Sequence, residues 1–108
     1  MALRPVAFHG DSLDRLRDFP ENVRRQAGHE LYNVQKGVDP GEWKPMPTIG
    51  PGVREIRIRG AGGTYRVIYI ATLVDAVHVL HVFQKKSRKT PQHDLNIASM
   101  RLRQLKEP

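Results

Sequence analysis

The chain has 108 residues, enough for one domain with one core and too few for two. Its 39% apolar and 27% charged composition is that of an ordinary globular protein, and the lack of cysteine excludes a disulfide framework or a thiolate metal site. Eighteen Lys and Arg against eleven Asp and Glu give a net charge of +7, an excess that points to polyanionic partners.

Residues 3–8, LRPVAF, read as a short strand that Pro5 confines to an edge or a strand start. Asp11 or Ser12 can cap a short helix over 11–19, with Leu13 and Leu16 on its apolar side. Pro20 opens a second helix over 20–36, whose stripe is Val23, Ala27, Leu31 and Val34, and Gly37 stops it. Two successive helices predict a helical hairpin. Residues 38–52 hold four prolines, three glycines and the only tryptophan, Trp43, and read as a loop.

Three strands follow. Residues 53–59 alternate apolar and charged side chains, residues 64–72 are more apolar and so more central, and residues 77–86 form the third. Two short turns join them into an antiparallel meander. Thr90 as N-cap and Pro91 at the first helical position open a last helix, with Leu95, Ala98, Leu102 and Leu105 as its apolar stripe. The expected fold is α+β: a small antiparallel sheet with an N-terminal helical hairpin and a C-terminal helix, one domain over residues 1–108. The N-terminus has no apolar signal region, and no stretch approaches the roughly 20 residues of a membrane span. A cytoplasmic protein without a membrane partner is expected.

Alternation puts Glu55, Arg57 and Arg59 on one face of the first meander strand, toward water, and Arg54, Ile56 and Ile58 on the other. Arg66 shares a face with Thr64, Ile68 and Ile70. An arginine there either pairs with a carboxylate such as Glu55 or serves a site. The third strand runs out into Lys85, Lys86, Arg88 and Lys89, which read as a solubilising edge or as a phosphate-binding patch. Neighbouring strands can bring Arg57, Arg66 and Lys85 onto one surface. Two guanidiniums and an ammonium can grip a phosphodiester and stabilise the extra charge of a pentacovalent transition state.

RNA suits such a site because its 2′-hydroxyl is a built-in nucleophile, so neither metal nor cofactor is required. His78 and His81 are three apart, and a regular strand points them to opposite faces, against a shared metal. His81 is a candidate general acid or base, or a packed histidine beside Val79 and Phe83. Glu55 is the best carboxylate base, or an ion-pair partner. Trp43 either stacks on a base or anchors its loop. Tyr65 and Tyr69 share a face with Val67 and read as packed side chains.

The order of Glu55-x-Arg57, Tyr65-Arg66-Val67-x-Tyr69, Phe83-x-Lys85-Lys86 and Thr90-Pro91 resembles the phage-derived, HigB-like group of the RelE/ParE toxin superfamily. That resemblance implies a curved antiparallel sheet with helices on one side, and a toxin of a type II toxin–antitoxin pair. It implies cleavage of mRNA on the ribosome to a cyclic phosphate and a 5′-hydroxyl, and a cognate antitoxin as partner. Arg57, Arg66, Lys85 and Lys86 fall on the strands that carry the family's basic site. Some members use a late tyrosine in proton transfer, and this chain has none after Tyr69.

The resulting expectation is an endoribonuclease. Arg57 and Arg66 hold the scissile phosphate, Lys85, Lys86, Arg88, Lys89 and Arg59 hold the backbone, and Glu55 or His81 moves protons. Removing Arg66 is expected to abolish toxicity without unfolding the chain. A ParE-like gyrase inhibitor and a non-catalytic nucleic-acid-binding protein are the alternatives, because fold alone does not fix activity.

Overall fold

The computed structural model describes residues 3–86 and 91–107. In chain order the elements are β1 (Val6–Phe8), α1 (Ser12–Arg17), α2 (Glu21–Gln35), β2 (Trp43–Pro45), β3 (Val53–Gly60), β4 (Gly63–Ile70), β5 (Val77–Lys85) and α3 (Gln92–Lys106). One five-stranded sheet has the order β1-β5-β4-β3-β2. The α+β class holds, and the expected elements all form in the expected order, with one further strand, β2, between α2 and the meander.

The sheet is mixed rather than wholly antiparallel. β3, β4 and β5 form the antiparallel meander, but β1 lies parallel to β5, from Val6 opposite Val77 to Phe8 opposite Val79. Parallel neighbours need a long crossover, and the intervening helices and strands supply it. Pro5 still takes part, because its carbonyl accepts from the Val77 N–H at 2.9 Å. β2 is the second difference. It lies inside the expected loop, paired with β3 through Trp43–Ile56, Lys44–Glu55 and Pro45–Arg54. Proline is tolerated on this outermost strand, which has no outer neighbour among the described residues to receive an N–H.

The hairpin helices and α3 cover opposite faces of the sheet, not one side as the resemblance implied. Val23, Ala27, Leu31 and Val34 of α2 pack with Ile56, Ile58, Tyr65, Val67 and Tyr69 in one cluster. Ala98 and Leu102 of α3 pack with Val53, Ile68, Ile70, Leu80 and Phe83 in another. Alternating residues of β4 thus face different layers, as a period of two requires. Both faces being covered explains why β4 reads as nearly continuous apolar sequence.

A register shift where β4 passes from Ile68 to Tyr69 leaves Leu80 as an extra residue on β5. Such a bulge re-aims the side chains beyond it. Val79 joins the α2 cluster, while Leu80 joins the α3 cluster and His81 stacks on Phe83. His81 therefore shares a face with Phe83 but not with Val79. The same shift cancels the parity argument for His78 and His81, which a regular strand would have set on opposite faces.

Candidate phosphate-binding site

Strand register alone collects the cations. Arg57 lies opposite Arg66, Arg59 opposite Thr64, and Thr64 opposite Lys85. Directly opposed residues share a face. Arg57, Arg66 and Lys85 thus stand together on the face that carries α3, at the end of the sheet where β3 turns into β4. The α3 helix covers the other end of that face, over Ile68, Ile70 and Leu80.

At the centre is Glu55, which was expected to face water and is instead fully buried, at 0% exposure. It forms an ion pair with the Arg66 guanidinium, which is itself 8% exposed. Arg57 Nε stands 3.6 Å from the same carboxylate oxygen, with its side chain 29% exposed. The charged row is drawn inward because a buried carboxylate is tolerable only beside a cation. Glu55 is thus paired as well as placed at the candidate site. Among the described residues, the second Glu55 oxygen and the Nε atoms of Arg57 and Arg66 are buried without hydrogen-bond partners.

Lys85 is buried, at 6% exposure. Burial lowers the pKa of its ammonium, and Arg66 beside it lowers it further. Glu55 opposes that shift, whereas Lys44 and Arg57 add to it. Such an amine gives up its proton more readily than an ordinary lysine. Arg59 and Lys86 are exposed at the rim, Arg59 paired with Glu42 at 3.2 Å. Arg88, Lys89 and Thr90 lie outside the described residues.

His81 sits apart, beneath α3 and fully buried. Its Nε2 meets Asp94 Oδ1 at 2.6 Å, and its Nδ1 lies 3.4 Å from Arg101. Arg101 also donates to the Leu80 carbonyl at 3.0 Å and to Asp11 at 2.8 Å, which ties α3 to the bulge and to α1. Burial lowers the His81 pKa despite Asp94, so the ring is neutral near pH 7. Asp94 and Arg101 were not singled out from the sequence. Their signal was present, since they stand seven apart, two turns of one helix, on the stripe that includes Ala98.

A second polar chain joins Asp75, His78 and His9, with His78 Nδ1 2.9 Å from His9 Nε2 and His78 Nε2 3.1 Å from Asp75. Among the described residues no group of three or more His, Cys, Asp or Glu side chains could hold a metal ion. Trp43 lies against the Arg54 guanidinium, 3.9 Å from ring centroid to charge, on the face opposite the cations. Among the described residues no helix is long and apolar enough to cross a membrane.

A mixed sheet between a helical hairpin and a C-terminal helix, with cations gathered on one end of the sheet, defines a small α+β protein with a basic site. The family profile described as "Phage derived protein Gp49-like (DUF891)" matches residues 14–103, and the chain belongs to that family. Among solved structures, the chain resembles a double arginine-to-alanine mutant of the E. coli toxin RelE in the free state. The TM-score is 0.61 at 16% identity, over 96% of this chain and 99% of that one. At that identity the likeness establishes a RelE-like fold and no more. No curated protein matches.

Proposed function

We propose that the chain is a HigB-like toxin of a type II toxin–antitoxin system, a metal-independent endoribonuclease acting on mRNA at the ribosome in the cytoplasm. The observation that carries this reading is the convergence of Arg57, Arg66 and Lys85 around buried Glu55, with Arg66 Nε making no hydrogen bond among the described residues and Arg57 Nε held only by its 3.6 Å approach to Glu55. Donors held in place with hydrogen-bonding capacity to spare suit an oxyanion that forms only during reaction. The family and the RelE-like fold support the same reading.

In this mechanism the RNA 2′-hydroxyl gives up its proton to water and attacks the adjacent phosphorus, and the bond to the 5′-oxygen breaks. Arg57 and Arg66 stabilise the pentacovalent phosphorane. Lys85 delivers the proton that the leaving 5′-oxygen needs, a role that fits its lowered pKa. Glu55 holds the two guanidiniums in register and offsets their charge in the resting site. His81 is structural, since both ring nitrogens are occupied under α3. The excess of +7 favours RNA and an acidic antitoxin that neutralises this surface.

Brief induction in growing cells tests the reading. Rapid loss of mRNA, with fragments ending in a 5′-hydroxyl, is expected. DNA breaks with intact mRNA would identify a gyrase inhibitor instead.

A further inference from the structure

β2 carries one residue toward the cation cluster that no motif marked. Lys44 lies directly opposite Glu55, so it projects from the same face as Glu55, Arg57 and Arg66. Its backbone is fixed on both sides: the Arg57 N–H donates to the Glu42 carbonyl at 2.9 Å, and the Met46 N–H to the Val53 carbonyl at 2.8 Å. Its neighbour Trp43 stacks against Arg54 on the other face.

The charge balance around Lys44 is unusual. The nearby rim cation Arg59 is neutralised by Glu42, and Arg54 by Asp39 at 2.9 Å. Among the described residues no carboxylate lies within ion-pair distance of Lys44. Its side chain is only half-exposed, yet it adds like charge to a site that already holds three cations. It is also near enough to Lys85 for the two charges to repel. Folding gains nothing from that repulsion, whereas a polyanion lying across the site would offset it.

We infer that Lys44 is a fourth cation of the site and contacts a backbone phosphate of single-stranded RNA, flanking the phosphate held by Arg57 and Arg66. The inference rests on the nuclease reading and adds to it where the strand leaves the reacting centre. Lys44 and Lys85 then stand on opposite sides of Arg57 and Arg66, and the RNA backbone crosses the strands from β5 toward β2. Lys44 binds the RNA strand and takes no part in proton transfer.

The test compares wild-type protein, Lys44→Ala, Lys44→Arg and the charge-matched control Lys36→Ala. Lys36 ends α2 against the Tyr32 ring, on the other face of the sheet. The binding probe is a single-stranded oligoribonucleotide with every sugar 2′-O-methylated, which cannot be cut. With Lys44→Ala, the slope of log affinity against log salt should shrink by about 0.7, the share of one phosphate contact on a single strand. KM for a cleavable RNA should rise about tenfold with kcat within about twofold, as loss of uniform binding requires. Lys44→Arg should restore both, and Lys36→Ala should match wild type. A salt slope and KM for Lys44→Ala equal to those of Lys36→Ala would overturn the inference and leave the nuclease reading standing. Wild-type protein that neither binds nor cuts RNA would overturn both.

Discussion

Glu55 on β3 and Arg66 on β4 form an ion pair in which neither partner is more than 8% exposed, and a second arginine, Arg57, closes on the same carboxylate oxygen. This pair makes the site and the fold interdependent. Arg66→Ala, expected from the sequence to spare the fold, would leave the buried Glu55 carboxylate with only the longer 3.6 Å ion pair to Arg57. Breaking one side of a buried pair costs about 3–5 kcal/mol. Arg66→Ala and Glu55→Gln should therefore each lower the urea midpoint sharply. The double replacement Glu55→Leu with Arg66→Met should recover most of the stability and none of the RNA cleavage. A double variant no more stable than the single variants would contradict this account of the pair.

Lys85 makes activity depend on pH in one direction. Its pKa is depressed from 10.5 by burial and by Arg66 beside it. An acid must hold its proton to act, so kcat/KM should fall as pH rises through the lowered value, ahead of an ordinary lysine. Lys85→Arg should carry this alkaline limb out of the accessible range, at reduced rate, because arginine stays protonated. The measurement is the pH–rate profile of a cleavable oligoribonucleotide; an unmoved limb removes Lys85 from proton transfer.

His81 sets a pH dependence of stability. In the fold burial lowers its pKa from 6.5, and His9 is lowered in the same direction by burial and by His78. Below pH 6.5 the unfolded chain therefore binds more protons than the folded one. Stability present above pH 6.5 is lost as the pH falls toward the depressed folded values. Urea midpoints should drop between pH 7.5 and 5.5, and His81→Gln should flatten that slope. A midpoint that rises on acidification would contradict the buried neutral ring.

Gly10 has φ 57°, and a Cβ there would run into the Arg101 guanidinium. Gly10→Ala combines left-handed strain with displacement of Arg101 from Asp11 and the Leu80 carbonyl. A loss of about 1–3 kcal/mol follows, and each kcal/mol lowers Tm by about 4–8 °C in a domain of this size. Thermal unfolding of the variant checks this.

Much of the architecture was legible because burial follows period. The stripe Val23, Ala27, Leu31 and Val34 is buried along α2, and Ala98 and Leu102 along α3. Parity on β3 and β4 also sufficed to gather Arg57 and Arg66. What escaped depends on relations between distant segments. The pairing of β2 rests on three residues next to prolines, and local sequence carries no signal for it. The parallel direction of β1 follows from the path of the whole chain. The bulge at Leu80 reversed the parity expected for His78 and Val79 relative to His81, because one extra residue shifts every side chain beyond it. Glu55 alternates like a solvent residue, and only the presence of Arg66 opposite Arg57 explains its burial.

The central claim is tested most directly at Arg57, the most exposed of the three converging cations, whose loss leaves the Glu55–Arg66 pair intact. Purified wild-type protein and Arg57→Gln would be added to translating ribosomes and the RNA ends mapped. Wild type should leave 5′-hydroxyl and 2′,3′-cyclic phosphate ends, and a folded Arg57→Gln should produce them about 100-fold more slowly, the loss expected for one transition-state donor. Equal cleavage by the two proteins, or intact RNA with wild type, would contradict a nuclease centre built from these strands.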